Sequence, residues 1–148
     1  MEINDILTPD CTKCAVQGTS KKRILEVISQ IASQHLADIE QTTILTSLLA
    51  REKMGSTGIG KGIAIPHGRL ANLPHVTAIL VTSSTPIPFD AIDNKPVDIF
   101  FAILVPEDQA QGHLQTLATI ATKLSDKKRI KTLRRATTSQ QVFEAIAE

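Results

Sequence analysis

The 148-residue sequence predicts a single α/β domain, and three observations carry that prediction. Two amphipathic helical patterns come first, short β-rich apolar runs fill the middle, and helical patterns return toward the end, an order that suits layers of helix on sheet. The run Val97–Val105 is almost uninterrupted apolar sequence, as expected of a central strand covered on both faces. No internal repeat, low-complexity stretch or linker divides the chain, so residues 1–148 are read as one domain with one core.

The elements follow in order. Val16 to Gly18 reads as a short extended piece. Ser20 is placed to cap a helix over Lys21–His35, where Ile24, Val27, Ile28 and Ile31 recur at the spacing of one buried face. A second helix is predicted from Glu40 to Lys53, with Ile44, Leu45, Leu48 and Leu49 inward, Asp38 as its cap and Gly55 as its stop. A glycine-rich loop then leads into a strand at Ile63–Ile65. Val76–Val81 is rich in β-branched residues and reads as a strand. Ile87–Phe89 reads as a short edge strand, because Pro86 and Pro88 deny it full ladder pairing. Asp93-Asn94-Lys95-Pro96 is a turn. Beyond Val105 a helix is expected over Gln111–Ser125, with Leu114, Leu117, Ala118, Ala121 and Leu124 inward. Asp126 caps a short helix carrying Ile130 and Leu133, and Thr138 with Gln141 forms a capping box for a last one.

Composition removes several functions. The chain has no Trp or Tyr and only four Phe, so it lacks the stacking platforms of single-strand nucleic-acid binders. Sixteen Lys and Arg against fifteen Asp and Glu leave a net charge of +1, with no long-range attraction to nucleic acid or anionic lipid. The basic run Lys127-Lys128-Arg129, Lys131, Arg134-Arg135 reads as a solvated helix face. No apolar stretch approaches a membrane span, and the N-terminus lacks the basic start and apolar middle of a signal peptide. A cytoplasmic protein without membrane insertion or nucleic-acid partner is expected. Cys11-Thr12-Lys13-Cys14 has the C-x-x-C spacing, but neither a βαβ redox context nor a second pair of zinc ligands accompanies it, so free thiols are expected.

The chemistry concentrates in Gly58-Ile59-Gly60-Lys61-Gly62-Ile63-Ala64-Ile65-Pro66-His67-Gly68. Glycines let a backbone approach a ligand closely, and proline fixes the turn before the histidine. Gly55 to Gly62 nearly spells a P-loop, but Gly62 replaces the hydroxyl residue, and the segment leaves a helix for a strand rather than the reverse. The dinucleotide fingerprint fails because its third glycine comes one residue early. His35, His67, His75 and His113 have no metal-ligand spacing, and no nucleophile elbow exists, so neither metal nor cofactor is predicted. A nucleophilic imidazole toward phosphorus is left, with His67 as acceptor. Backbone N–H groups of Gly58, Ile59 and Gly60, hydroxyls of Ser56 and Thr57, and the planar fork of Arg51 could meet phosphoryl oxygens. His113 follows the central strand and is either a second site imidazole or an ordinary first-turn helix residue.

These residues resemble the mannitol/fructose-type class of enzyme IIA in the bacterial phosphotransferase system. The likeness is carried by Arg51-Glu52-Lys53, Ser56-Thr57, Ile59-Gly60, Gly62 to Gly68, Phe89-Asp90 and His113-Leu114, and runs from about Ser20 to residue 148, leaving 1–19 as an N-terminal segment. The stretch Arg51 to Gly58, with Asp90 to Asn94 and Pro96 to Asp98, is most similar to the nitrogen-regulatory branch. The resemblance implies a mixed central sheet flanked by helices on both sides. It implies phosphorylation at His67, support from His113 and Arg51, and a pocket lined near Ser56 and Thr57. It further implies an HPr-like phosphoryl donor, called NPr in this branch, and regulatory targets such as kinases or transporters. Such a protein is a phosphohistidine carrier rather than a multiple-turnover enzyme. A sugar-specific enzyme IIA serving a membrane permease is the alternative. Lys61 departs from the family's usual Asn, and either an added cation at the site or a solvent-facing side chain would follow.

Overall fold

The computed structural model describes residues 2–109 and 113–147, and for 109, 113 and 114 the backbone alone. A mixed sheet forms the centre, flanked by helices. Its strands are β1 (Thr12–Val16), β2 (Gly58–Gly60), β3 (Ile63–Ala64), β4 (His67–Leu70), β5 (Thr77–Ile87) and β6 (Val97–Pro106). The helices are α1 (Lys21–His35), α2 (Gln41–Lys53), α3 (His113–Leu124), α4 (Lys127–Arg135) and α5 (Ser139–Ala147). Strand order is β1-β5-β6-β3-β2, and β4 also pairs with β6.

The predicted central strand is β6. It runs antiparallel to β5 on one side and parallel to β3 and β4 on the other. From Ile99 to Val105 every side chain is buried, which is why its sequence shows no alternation. Ile63 pairs with Ile99, Ala64 with Phe100 and His67 with Ile103, a constant offset of 36 residues. β3 and β4 are therefore two pieces of one line along β6, interrupted where Pro66 lacks an N–H. Across the gap, the Pro66 carbonyl still accepts from Ile103 N at 2.9 Å.

Helix boundaries follow the sequence signals closely, and the expected start at Gln111 and inward Leu114 side chain lie outside the described residues. Ser20 accepts from Arg23 N, Asp126 accepts from Lys128 N and Arg129 N, and Thr138 and Gln141 exchange side-chain-to-backbone bonds. Asp38 does not cap α2: the N-cap is Glu40, without a side-chain cap bond, and Gln41 instead donates to the Glu26 carbonyl. In α3 the buried stripe is Thr116, Ile120 and Leu124, flanked by Leu117 and Ala121, and Ala118 faces solvent.

Three strand expectations change. The N-terminal strand covers Thr12–Val16 rather than Val16–Gly18, and a bulge at Ala15 (φ 53°) shifts its register against β5 between Lys13 and Val16. β5 extends to Ile87 and absorbs the separate edge strand expected there. A register slip between Thr82 and Ile87 accommodates Pro86.

The glycine-rich loop is a hairpin of β2 and β3. Gly60 opposes Ile63, so Lys61 and Gly62 are the two central residues of its turn, with φ of 59° and 78°. Two positive φ values define a type I′ turn, where Asn-Gly is the favoured pair. Asp93 holds the turn by accepting from Lys61 N at 3.0 Å and Lys95 N at 3.1 Å, and these bonds keep its carboxyl below the ordinary carboxylate range. Arg134 donates to the Lys61 carbonyl at 2.6 Å and grips Asp98 with the same guanidinium. Lys61 is exposed at the turn, so its strain is conformational. Lys61→Asn is predicted to raise stability by about 0.5–1 kcal/mol. Thermal unfolding checks this, and a melting temperature at or below wild type would contradict it.

Candidate functional site

The site lies where the last turn of α2 meets the first residue of β4. Their approach is close because Gly68 has no side chain: a Cβ there would collide with Ser47 Oγ. Ser47 instead donates to the Arg69 carbonyl at 2.9 Å, tying helix to strand. This contact places Arg51, one turn further along α2, beside His67.

Arg51 Nε donates to His67 Nε2 at 3.1 Å. His67 Nδ1 lies 3.0 Å from the Ile65 carbonyl oxygen. A carbonyl only accepts and a guanidinium only donates, so Nδ1 carries the proton and Nε2 presents its lone pair. The imidazole is thus neutral and fixed in one tautomer. Arg51 Nη1 donates to the Gly55 carbonyl at 2.8 Å, which holds the guanidinium plane against the end of its own helix.

A cavity of about 420 Å³ opens at this point. Arg51, His67, Arg69 and Ser47 supply its polar lining, and Ala50, Met54 and Val105 its apolar wall. The half-buried His67 sits between the sheet and this opening.

Ser56, Thr57, Gly58, Ile59 and Gly60 do not line the cavity. Ser56 Oγ donates to the Phe89 carbonyl at 2.6 Å and accepts from Gly58 N at 3.1 Å. Thr57 gives both its hydroxyl and its N–H to Glu52. Glu52 is the reason: its side chain is only 4% exposed, and a buried carboxylate takes every donor in reach. Lys21 Nζ completes the set at 2.9 Å from Glu52 Oε2, and lies 4.4 Å from the centre of the Phe89 ring. Of the predicted hydroxyls, Thr57 therefore braces the end of α2 through Glu52, Ser56 ties the loop to Phe89, and the Gly58 N–H is taken by Ser56 Oγ. His113 opens α3, and its side chain lies outside the described residues.

Sequence reasoning passed over Glu52, Lys21, Ser47 and Arg69. A glutamate in a last helical turn and a lysine in a first one read as solvated, and only the contact between α2 and β4 reveals Ser47. Arg69 carried one signal: it stands two residues beyond His67 on a strand, hence on the same side of it. Elsewhere, Cys11 is buried, which raises its thiol above the ordinary range, and Cys14 Sγ contacts the Ala136 carbonyl at 3.5 Å. Among the described residues no group of three or more His, Cys, Asp and Glu is arranged for a metal ion.

An imidazole held between a carbonyl and a guanidinium thus faces a cavity on a mixed sheet flanked by helices. Residues 5–148 match the family model of the phosphoenolpyruvate-dependent sugar phosphotransferase system, EIIA 2, and the chain belongs to that family. The match begins ahead of Ser20.

Within the family the likeness runs to nitrogen-regulatory members. The chain is 45% identical over 149 residues to the nitrogen regulatory protein of Klebsiella oxytoca, covering all of this chain and 91% of that one. The crystal structure of nitrogen regulatory protein IIA-Ntr from Neisseria meningitidis superposes with a TM-score of 0.90 at 34% identity, covering 97% of this chain and 98% of that one. The crystal structure of IIA mannitol from Escherichia coli shares the fold, with a TM-score of 0.73 at 18% identity over 90% of this chain and 93% of that one. Among the described residues no helix is long and apolar enough to cross a membrane.

Proposed function

We propose that this chain is a regulatory phosphocarrier of the nitrogen-related phosphotransferase system. His67 Nε2 accepts a phosphoryl group from a phosphohistidine on an HPr-like protein of the NPr type. The carrier's phosphorylation state then sets which cytoplasmic targets, such as kinases or transporters, it binds. The observation that carries the reading is the pair of bonds on His67, from Arg51 Nε to Nε2 and from Nδ1 to the Ile65 carbonyl. Similarity to nitrogen regulatory proteins supports the regulatory branch over sugar transport.

In the transfer, the Nε2 lone pair attacks phosphorus in line with the donor's P–N bond. That bond breaks, and its electron pair returns to the donor imidazole. One P–N bond forms as another of the same kind breaks, so the reaction is close to thermoneutral and reversible, as a carrier requires. The Nδ1–H goes on donating to the Ile65 carbonyl and keeps the ring oriented. Arg51 loses its acceptor when Nε2 bonds to phosphorus, and its N–H groups turn to the phosphoryl oxygens. The proposal keeps His113 as a supporting imidazole on the strength of the resemblance. It gives Thr57 the task of holding the end of α2 through Glu52, and with it Arg51, while Ser56 and Gly58–Gly60 shape the loop and hairpin beside it. A phosphoryl group brings roughly two negative charges to this surface, enough to change which partners dock beside Met54.

Intact mass after incubation with phosphoenolpyruvate, enzyme I and the HPr-like carrier tests the proposal. The expected result is an acid-labile gain of one phosphoryl group, absent from His67→Ala. A gain retained by that variant moves the acceptor elsewhere, and no gain by either protein with active donors leaves a binding module.

A further inference from the structure

The cavity beside His67 is lined by two arginines and a histidine, with no carboxylate residue in its lining, in a chain whose net charge is only +1. One guanidinium, Arg51, is committed to His67 and Gly55. The other belongs to Arg69. Among the described residues no acid stands within ion-pair distance of Arg69, whereas Arg23 faces Glu26 and Arg134 is gripped by Asp98. Arg69 is exposed, and the Ser47 bond to its carbonyl fixes its backbone on the helix side. Its pairing with Val105 on β6 fixes the residue on the sheet side as well. The backbone is thus fixed on both sides, while among the described residues no acid pairs with the charged end. Along a strand, two residues span about 6.6 Å, which puts Arg69 one step past His67 on the same side.

We infer that Arg69 is a second phosphoryl-binding cation, so that the cavity takes a phosphate dianion between the guanidiniums of Arg51 and Arg69 with His67 Nε2 at its floor. Each guanidinium presents paired N–H groups that match two oxygens of a tetrahedral anion, and the apolar wall of Ala50, Met54 and Val105 lowers competition from water. Arg69 meets the incoming group first. Arg51 Nε–H leaves Nε2 as that lone pair turns to phosphorus, and its N–H groups then take their share of the oxygens. The anion site stands on the cavity itself, and only its use in transfer rests on the reading of His67 as acceptor.

The test is a titration of inorganic phosphate into wild type, Arg69→Gln and Arg69→Lys at constant ionic strength. It is followed by the backbone amide shifts of residues 67–69 and the arginine Nε–H signals. Saturable binding is expected in wild type, with about tenfold weaker binding in Arg69→Gln and most of it restored in Arg69→Lys. In parallel, the rate of phosphoryl gain from the phosphorylated HPr-like donor should fall by about tenfold in Arg69→Gln, with a shallower dependence on salt. Equal phosphate affinity in wild type and Arg69→Gln, or no saturable site in wild type, overturns the inference. Weakened phosphate binding in Arg69→Gln with no phosphoryl gain by any form upholds the anion site and overturns the transfer reading. Normal transfer with unchanged phosphate affinity in Arg69→Gln does the reverse.

Discussion

Arg51→Ala is expected to slow phosphoryl gain on His67 by about 100- to 1,000-fold with the fold intact. Two losses combine. The Nε bond that selects the reactive tautomer disappears, so the ring's two nitrogens are no longer distinguished from both sides. The N–H groups that would meet charge on the phosphoryl oxygens disappear as well. Arg51→Lys should recover little, because an ammonium cannot bond Nε2 and the Gly55 carbonyl from one rigid plane. The time course of intact mass, with thermal unfolding as the fold control, reads both variants. A rate for Arg51→Ala close to wild type would remove Arg51 from the chemistry.

Lys21→Met is the substitution expected to cost the most stability, about 2–3 kcal/mol. It strands the Glu52 carboxylate, which keeps only the Thr57 donors in a nearly closed pocket. The double variant Lys21→Met/Glu52→Gln should recover most of that loss, since a neutral amide asks far less of its surroundings than a buried charge. Chemical denaturation of the two single variants and the double one measures the coupling. Additive effects would mean that Lys21 acts through its packing over Phe89 alone. Because Glu52 adjoins Arg51, the Lys21 variant should also slow transfer, and the double variant should restore it.

The helices were legible because their signals are local. Ser20, Asp126 and the Thr138–Gln141 box each act within four residues, and the Ile24–Ile31 spacing depends on nothing beyond the helix. β6 was legible for the opposite reason: burial on both faces removes all alternation, and that shows in composition. The hairpin at Gly58–Ala64 was not, since glycines carry no pattern of inward and outward side chains. The Lys61-Gly62 turn also departs from the Asn-Gly signature that would have marked it. His67 stands out from its own block, whereas the residues around it are legible only in part. Arg51 reaches it across 16 residues and is legible, whereas Ser47 and Gly68 meet through a close helix–strand contact that no local rule encodes. That Ser56 and Thr57 direct their hydroxyls to the Phe89 carbonyl and to Glu52 is not legible, because nothing in the sequence says that Glu52 is buried beside them.

The N-terminal strand has a consequence beyond completing the sheet. β1 lies parallel against β5, with Thr12 opposite Leu80 and Lys13 opposite Val81, while Ile3, Leu7 and Cys11 sink into the core. On its other side β5 is already paired with β6. A chain starting at Ser20 would keep every residue of the site, yet leave the Ala78–Val81 stretch of β5 with one row of backbone donors and acceptors bare. That row is a template for a second copy, and apolar strands so uncovered aggregate. The first nineteen residues thus act as a shield, and expression of a shortened chain would be limited by self-association rather than by any loss of chemistry.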